Sequence, residues 1–182
     1  MTIDVAHLRG SVPPIITPID NDEVDYATYS ELVEFQIANG SHGILVNGTT
    51  AEPSTLTLEE RNRLVDIAIE ITAGRVPVYA ATGSQSLAEM KQLTDHAVKA
   101  GADALVIVTP YYIRPPQRGI TAYYLELAER HESPWMIYHI PGRAAVSVTL
   151  DTLKAIKDKS PRFVGMKHAV NDLGFVSECI GV

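Results

Sequence analysis

Phe163-Val164-Gly165-Met166-Lys167-His168-Ala169 is the stretch on which the reading of this chain turns. A short apolar run with a glycine inside it reads as a buried strand, and this one ends on a single lysine. Lysine is almost never fully buried without a reason. One reading lays its stem along the strand and leaves the ammonium in water. The other holds the amine in a desolvated pocket, where burial lowers its pKa and the neutral amine attacks a ketone to form a Schiff base. What the neighbouring strands bring to the same place decides between them.

Outward from that strand, short apolar runs alternate with longer amphipathic ones. Val12 to Ile19 reads as a first strand interrupted by prolines. Val24 to Asn39 reads as a helix with Asp25 as N-cap and Leu32, Phe35 and Ile37 on its buried side. Gly43 to Val46 is the second strand. Thr57 and Glu60 form a capping box opening a helix that Gly74 closes. Val76 to Ala80 is the third strand, and Ser86 with Glu89 forms a second capping box. The helix behind that box shows Leu87, Met90, Leu93 and Ala97 on one face and ends at Gly101. Ala104 to Val108 is the fourth strand, a helix runs from about Gly119 to Arg130, and Trp135 to Tyr138 is the fifth strand. Thr149 to Lys157 is helical, Phe163 to Lys167 is the sixth strand, and a last helix starts near Asp172.

This alternation means a parallel sheet with right-handed crossovers. An open doubly wound sheet and a closed barrel both fit it. Two features favour the (β/α)8 TIM barrel. No G-x-G-x-x-G turn follows the first strand, and polar residues cluster after several strands rather than at one switch point. A complete barrel takes about 250 residues, so the 182 residues here cover about six βα units. The expectation is a single barrel domain over 1–182, incomplete at the C-terminus: a fragment, or a piece completed by another chain.

Composition narrows the function classes. With 46% hydrophobic and 20% charged residues the chain has enough apolar material for one sizeable core. A net charge of -7 argues against nucleic acid or an anionic membrane as partner. Cys179 is the only cysteine, so no internal disulfide forms and a reducing, cytoplasmic setting is expected. Met1 to Gly10 is polar and lacks a signal-peptide core. No run approaches the ~20 apolar residues that span a bilayer.

In a parallel α/β fold the ligand sits at the carboxyl ends of the strands. Those ends carry Asn47 to Glu52, Thr109 to Tyr112, Tyr138 to Arg143 and Lys167. Hydroxyls and the amides of the Gly48-Thr49-Thr50 turn can hold a carboxylate, and a tyrosine hydroxyl can shuttle protons beside the lysine. Taken singly, a G-T-T is an ordinary turn, Tyr111 and Tyr112 are half-buried aromatics, Tyr138 is a strand residue and Arg143 a solvated loop charge. Their joint placement after successive strands is what such readings do not account for. His42, His139 and His168 raise metal catalysis as an alternative. Strand alternation opposes it: if Tyr138 and Lys167 point inward, His139 and His168 point away. No metal is expected.

With these residues assembled, the chain resembles the dihydrodipicolinate synthase/N-acetylneuraminate lyase family, pyruvate-handling class I aldolases on a (β/α)8 barrel. The likeness rests on Gly48-Thr49-Thr50-Ala51-Glu52, Thr109-Pro110-Tyr111-Tyr112, Tyr138-His139-Ile140-Pro141-Gly142-Arg143 and Gly165-Met166-Lys167. It implies that Lys167 is the Schiff-base lysine for pyruvate or another 2-oxo acid, with no separate cofactor. Tyr138 is then the proton-transfer tyrosine, and Thr49 the relay hydroxyl between Tyr138 and Tyr112. Gly48 and Thr50 hold the 2-oxo acid carboxylate, and Arg143 binds the carboxylate of the second substrate. The resemblance also implies a homodimer or homotetramer. Ala51 stands where the synthases have glycine, and its methyl is expected to press on the carboxylate turn. His139 and Ala144 replace residues that are usually Asn and Thr, and Leu58 and Arg61 replace the histidines of lysine-inhibited members. The expected activity is therefore a dihydrodipicolinate synthase-like lyase. The alternatives are a sugar-acid or 2-keto-3-deoxy acid aldolase or dehydratase of the same family, and a non-catalytic barrel that binds 2-oxo acids.

Overall fold

The computed structural model describes residues 5–182, which form two compact units. One holds residues 5–82 with Gln92–Leu105, the other Gly83–Lys91 with Val106–Val182. The first four residues of the polar start lie outside the described residues.

In the first unit, the expected strand over Val12 to Ile19 is reduced to one bridge, Pro14 running parallel to Leu45. Ile15 N–H donates to Leu45 O and Leu45 N–H to Pro13 O, each at 3.0 Å. Pro13, Pro14 and Pro18 have no N–H, so no ladder propagates. The chain instead makes a small antiparallel hairpin, β1 (Ile19–Asp20) with β2 (Glu23–Val24). Asn21 and Asp22 turn it with φ of 50° and 65°, the two left-handed residues that such a turn requires.

Helix α1 (Tyr26–Ala38) starts at Asp25, whose carboxylate accepts the Thr28 N–H. Its buried stripe is Tyr29 and Val33, four residues apart, with Leu32 and Ile37 half-buried. Phe35, expected inside, is 58% exposed because two residues past Val33 is the opposite side of a helix. Strands β3 (Ile44–Val46) and β4 (Val78–Ala81) are parallel, in register Ile44↔Val78, and buried throughout. Between them α2 (Leu58–Thr72) opens on the expected Thr57–Glu60 capping box, and Ala73 and Gly74 take left-handed φ at its end.

Helix α3 (Leu87–Ala100) buries Met90, Leu93 and Ala97 as expected, while Leu87 is 40% exposed. Only half of its expected box forms. Glu89 N–H bonds to Ser86 Oγ at 3.3 Å, but the Glu89 carboxylate takes the Ser84 hydroxyl at 2.7 Å. Strand β5 (Ala104–Val108) matches the expected span.

The second unit continues with α4 (Gln117–Ala128), β6 (Trp135–His139), the short α5 (Pro141–Ala144), α6 (Leu150–Lys159), β7 (Phe163–His168) and α7 (Leu173–Ile180). Its core is aromatic. Trp135 stacks on Tyr124 at 5.5 Å, meets Phe163 at 5.0 Å, and donates its indole N–H to Ser160 Oγ. The Tyr124 hydroxyl donates to Ile107 O at 3.0 Å. By contrast β7 is half-buried along its whole length, and α7 buries no residue. The sheet runs β3-β4-β5-β6-β7 in chain order. Among the described residues no helix is long and apolar enough to cross a membrane.

Candidate active site

The register of β6 against β7 sets what meets at their ends. Trp135 pairs with Phe163 but Met136 pairs with Gly165, so one residue of β7 is left over in a bulge at Val164. Gly165 has φ +154°, a region that side chains avoid, and the extra residue shifts every later pair by one. Tyr138 therefore lies opposite Lys167, and His139 opposite His168. The Lys167 Nζ sits 3.6 Å from the centroid of the Tyr138 ring, over its face. Tyr138 is buried and Lys167 half-buried. The Tyr138 carbonyl accepts the Thr109 N–H at 3.4 Å, and the buried Thr109 Oγ1 has no hydrogen-bond partner.

Lys167 and Tyr138 are the expected pair that the structure brings together. In the same unit Tyr112 stands out in solvent, 87% exposed, with φ +70°. Arg143 lies exposed on α5, one helical turn after β6, its N–H bonded to Ile140 O.

Gly48, Thr49 and Thr50 belong to the other unit. Thr49–Ala51 is a single 3-10 turn, with Ala51 N–H bonded to Gly48 O at 2.9 Å. Gly48 is buried, Thr49 half-buried and Thr50 exposed. Ala51 is buried, and no positive φ is needed there. Its carbonyl takes the Thr17 hydroxyl at 2.9 Å. This backbone conformation suits alanine as well as glycine.

Two residues not expected as supports hold this turn. Asn47, at φ +57°, donates its amide to Arg61 O at 2.9 Å. Arg61 is itself buried and donates from its guanidinium to Ala81 O at 3.2 Å. The signal in the sequence is an arginine on the apolar face of α2, in line with Leu64, Val65 and Ala68.

The two histidines lie on the other face of the β6–β7 pair, as alternation requires. Their Nδ1 atoms are 3.1 Å apart, and the Phe175 ring of α7 packs on both at 5.4 and 5.5 Å. Burial, and then the neighbouring His168, push the His139 pKa down to about 4. Among the described residues no three His, Cys, Asp or Glu side chains gather into a metal-binding group.

The family model of the dihydrodipicolinate synthetase family matches residues 7–180. The chain belongs to that family. Among its relatives, a 4-hydroxy-tetrahydrodipicolinate synthase of Thermus thermophilus is 42% identical over 170 residues, covering 93% of this chain and 57% of the relative. That of Phenylobacterium zucineum is 44% identical over 165 residues, 91% of this chain and 56% of the relative. The crystal structure of dihydrodipicolinate synthase from Aquifex aeolicus superposes with a TM-score of 0.92 at 37% identity, covering 94% of this chain and 59% of that one. The chloride-inhibited enzyme of Acinetobacter baumannii, complexed with pyruvate, gives 0.90 at 37% identity, covering 94% and 59%. This chain thus spans a little under three fifths of the length of the relatives it matches. Its fold is α/β, part of the (β/α)8 barrel of this family.

Proposed function

We propose that the protein is a Schiff-base-forming lyase that condenses pyruvate or a related 2-oxo acid with an aldehyde partner, as a 4-hydroxy-tetrahydrodipicolinate synthase does. The observation that carries this reading is the Lys167 amine held 3.6 Å over the Tyr138 ring at the carboxyl ends of adjacent strands. The relatives' names and the pyruvate complex of the Acinetobacter baumannii enzyme support it.

In this proposal the neutral Lys167 amine attacks the ketone carbon, a C–N bond forms, and the carbonyl oxygen leaves as water. Tyr138 moves the protons of that step. Loss of a proton from the neighbouring carbon gives the enamine that adds to the second substrate. Thr49 relays protons between Tyr138 and Tyr112, Gly48 and Thr50 bind the 2-oxo acid carboxylate, and Arg143 binds a carboxylate on the partner. The lysine itself activates the keto acid, so no separate cofactor is involved. The protein works as a homodimer or homotetramer in the cytoplasm, built on a single barrel domain.

The sugar-acid alternative rests on Ala51 and His139. Ala51 sits without strain in its turn, and His139 lies on the face away from Lys167, so neither favours it. Borohydride reduction of the intact protein with pyruvate tests the proposal. A stable pyruvyl adduct on the Lys167 peptide is expected, with turnover of pyruvate and aspartate semialdehyde. No adduct would overturn it.

A further inference from the structure

The reactive pair has a twin on the back of the same two strands. Tyr138 and His139 are consecutive on β6, and Lys167 and His168 on β7, so each histidine sits one strand step from a reacting group. A change in the twist or register of β7 that moves one pair necessarily moves the other.

We propose that His139 and His168 are positioning residues, whose Nδ1–Nδ1 hydrogen bond behind the strands keeps Lys167 over Tyr138 in front of them. The proposal rests on the Schiff-base reading above for its catalytic meaning, but its geometry stands independently.

Three observations carry it. The register that brings Lys167 opposite Tyr138 is reached only after a bulge at Val164. The histidine bond lies in the pair just beyond Tyr138–Lys167, where it closes the shifted register. Packing alone does not account for two imidazoles there, since His139 Nε2 and His168 Nε2 are both buried without a hydrogen-bond partner. Leaving a buried polar atom unpaired is unfavourable, and a pair of apolar rings against Phe175 would avoid it.

The protonation state agrees with this role. The bond needs one Nδ1–H donor and one bare Nδ1. Burial holds His139 neutral at physiological pH, so the single-donor pair persists there. The Phe175 ring keeps both imidazoles desolvated from the side of α7.

The test uses the intact protein and two readouts. The Lys167 ε-methylene protons should be shifted upfield by the Tyr138 ring, a signal independent of any substrate. The rate of borohydride trapping with pyruvate reports delivery of the amine. His139→Phe and His168→Phe keep ring volume and delete the bond. Each should lose the upfield shift and slow trapping by roughly ten- to a hundredfold, the scale of a small misplacement of a reacting group. His139→Asn, whose amide places a polar atom at the Nδ1 position, should retain both. A phenylalanine variant that keeps the ring shift and the trapping rate would overturn the proposal, even if it melts earlier. If neither phenylalanine variant folds, the histidine 15N spectrum of the parent decides: one Nδ1–H shared between the two rings supports the proposal, and two Nε2–H tautomers refute it. A parent that never traps pyruvate, yet shows the ring shift lost in His139→Phe and kept in His139→Asn, would sink the Schiff-base reading and leave the positioning role intact.

Discussion

The end of β3 and the end of β7 are built by opposite means. Ile44, Leu45 and Val46 are buried on both faces, and the turn that follows is pinned from Asn47 to Arg61 and from Arg61 to Ala81. No residue of β7 is buried, and its lysine is placed by a bulge and by side-chain contacts. The first is a rigid turn made of backbone and buried polar anchors. The second places a reactive amine through the register of one strand against its neighbour.

The contrast is broken most sharply at the amine. Replacing Lys167 with Ala should abolish the borohydride adduct, while Tyr138→Phe should still form it at a rate lower by about 10²–10⁴-fold, the usual contribution of a general acid–base group. Trapping kinetics read by mass spectrometry check both. Next comes packing. Ile44→Ala in β3 should cost about 2–5 kcal/mol in urea unfolding, as for other fully buried isoleucines. Val164→Ala in the half-buried β7 should cost about 1 kcal/mol or less. Equal losses would erase the distinction between the two strand ends.

A smaller effect sharpens the β3 side. Asn47→Ala removes the bond to Arg61 O and puts alanine at φ +57°, and these together should cost about 2 kcal/mol. Asn47→Gly relieves the backbone and should recover about half of that. Urea unfolding of the two variants side by side separates the backbone share from the lost bond. The smallest effect is a pH dependence on the β7 side. His139 titrates near 4 when folded and at its ordinary 6.5 when unfolded. Between those values the unfolded chain binds more protons, so stability falls as pH drops through 6.5 toward about 4 and is full above 6.5. Melting temperatures from pH 4 to 8 should slope downward on the acid side, and His139→Asn should flatten that slope.

What could be read from the residues followed the range of the interactions involved. The Thr57–Glu60 capping box, the Asp25 cap, the start of the last helix near Asp172 and the β5 span are legible because each depends on residues a few positions apart. The Lys167–Tyr138 pairing was anticipated from strand order and family resemblance, and the alternation that sends His139 and His168 to the back was anticipated too. Their mutual hydrogen bond was not, since it joins residues 29 apart through a register no local pattern encodes. The proline-rich start reads as a strand only if its apolar character is allowed to outweigh its missing donors. Phe35 was misplaced because one apolar residue more or less shifts the inferred face of a helix with few markers. In the sequence Arg61 reads only as a departure from relatives, because its buried bond to Ala81 O joins residues 20 apart.

The leftover residue at Val164 acts as a phase setting for the strand. Were β7 to pair evenly from Phe163 onward, with that residue drawn into the ladder, every reacting group would still be present in the sequence. Met136 would then face Val164, the Met166 thioether would come opposite the phenol of Tyr138, and the lysine would fall opposite His139. An inert strand of ordinary regularity differs from this one by a slip of a single position.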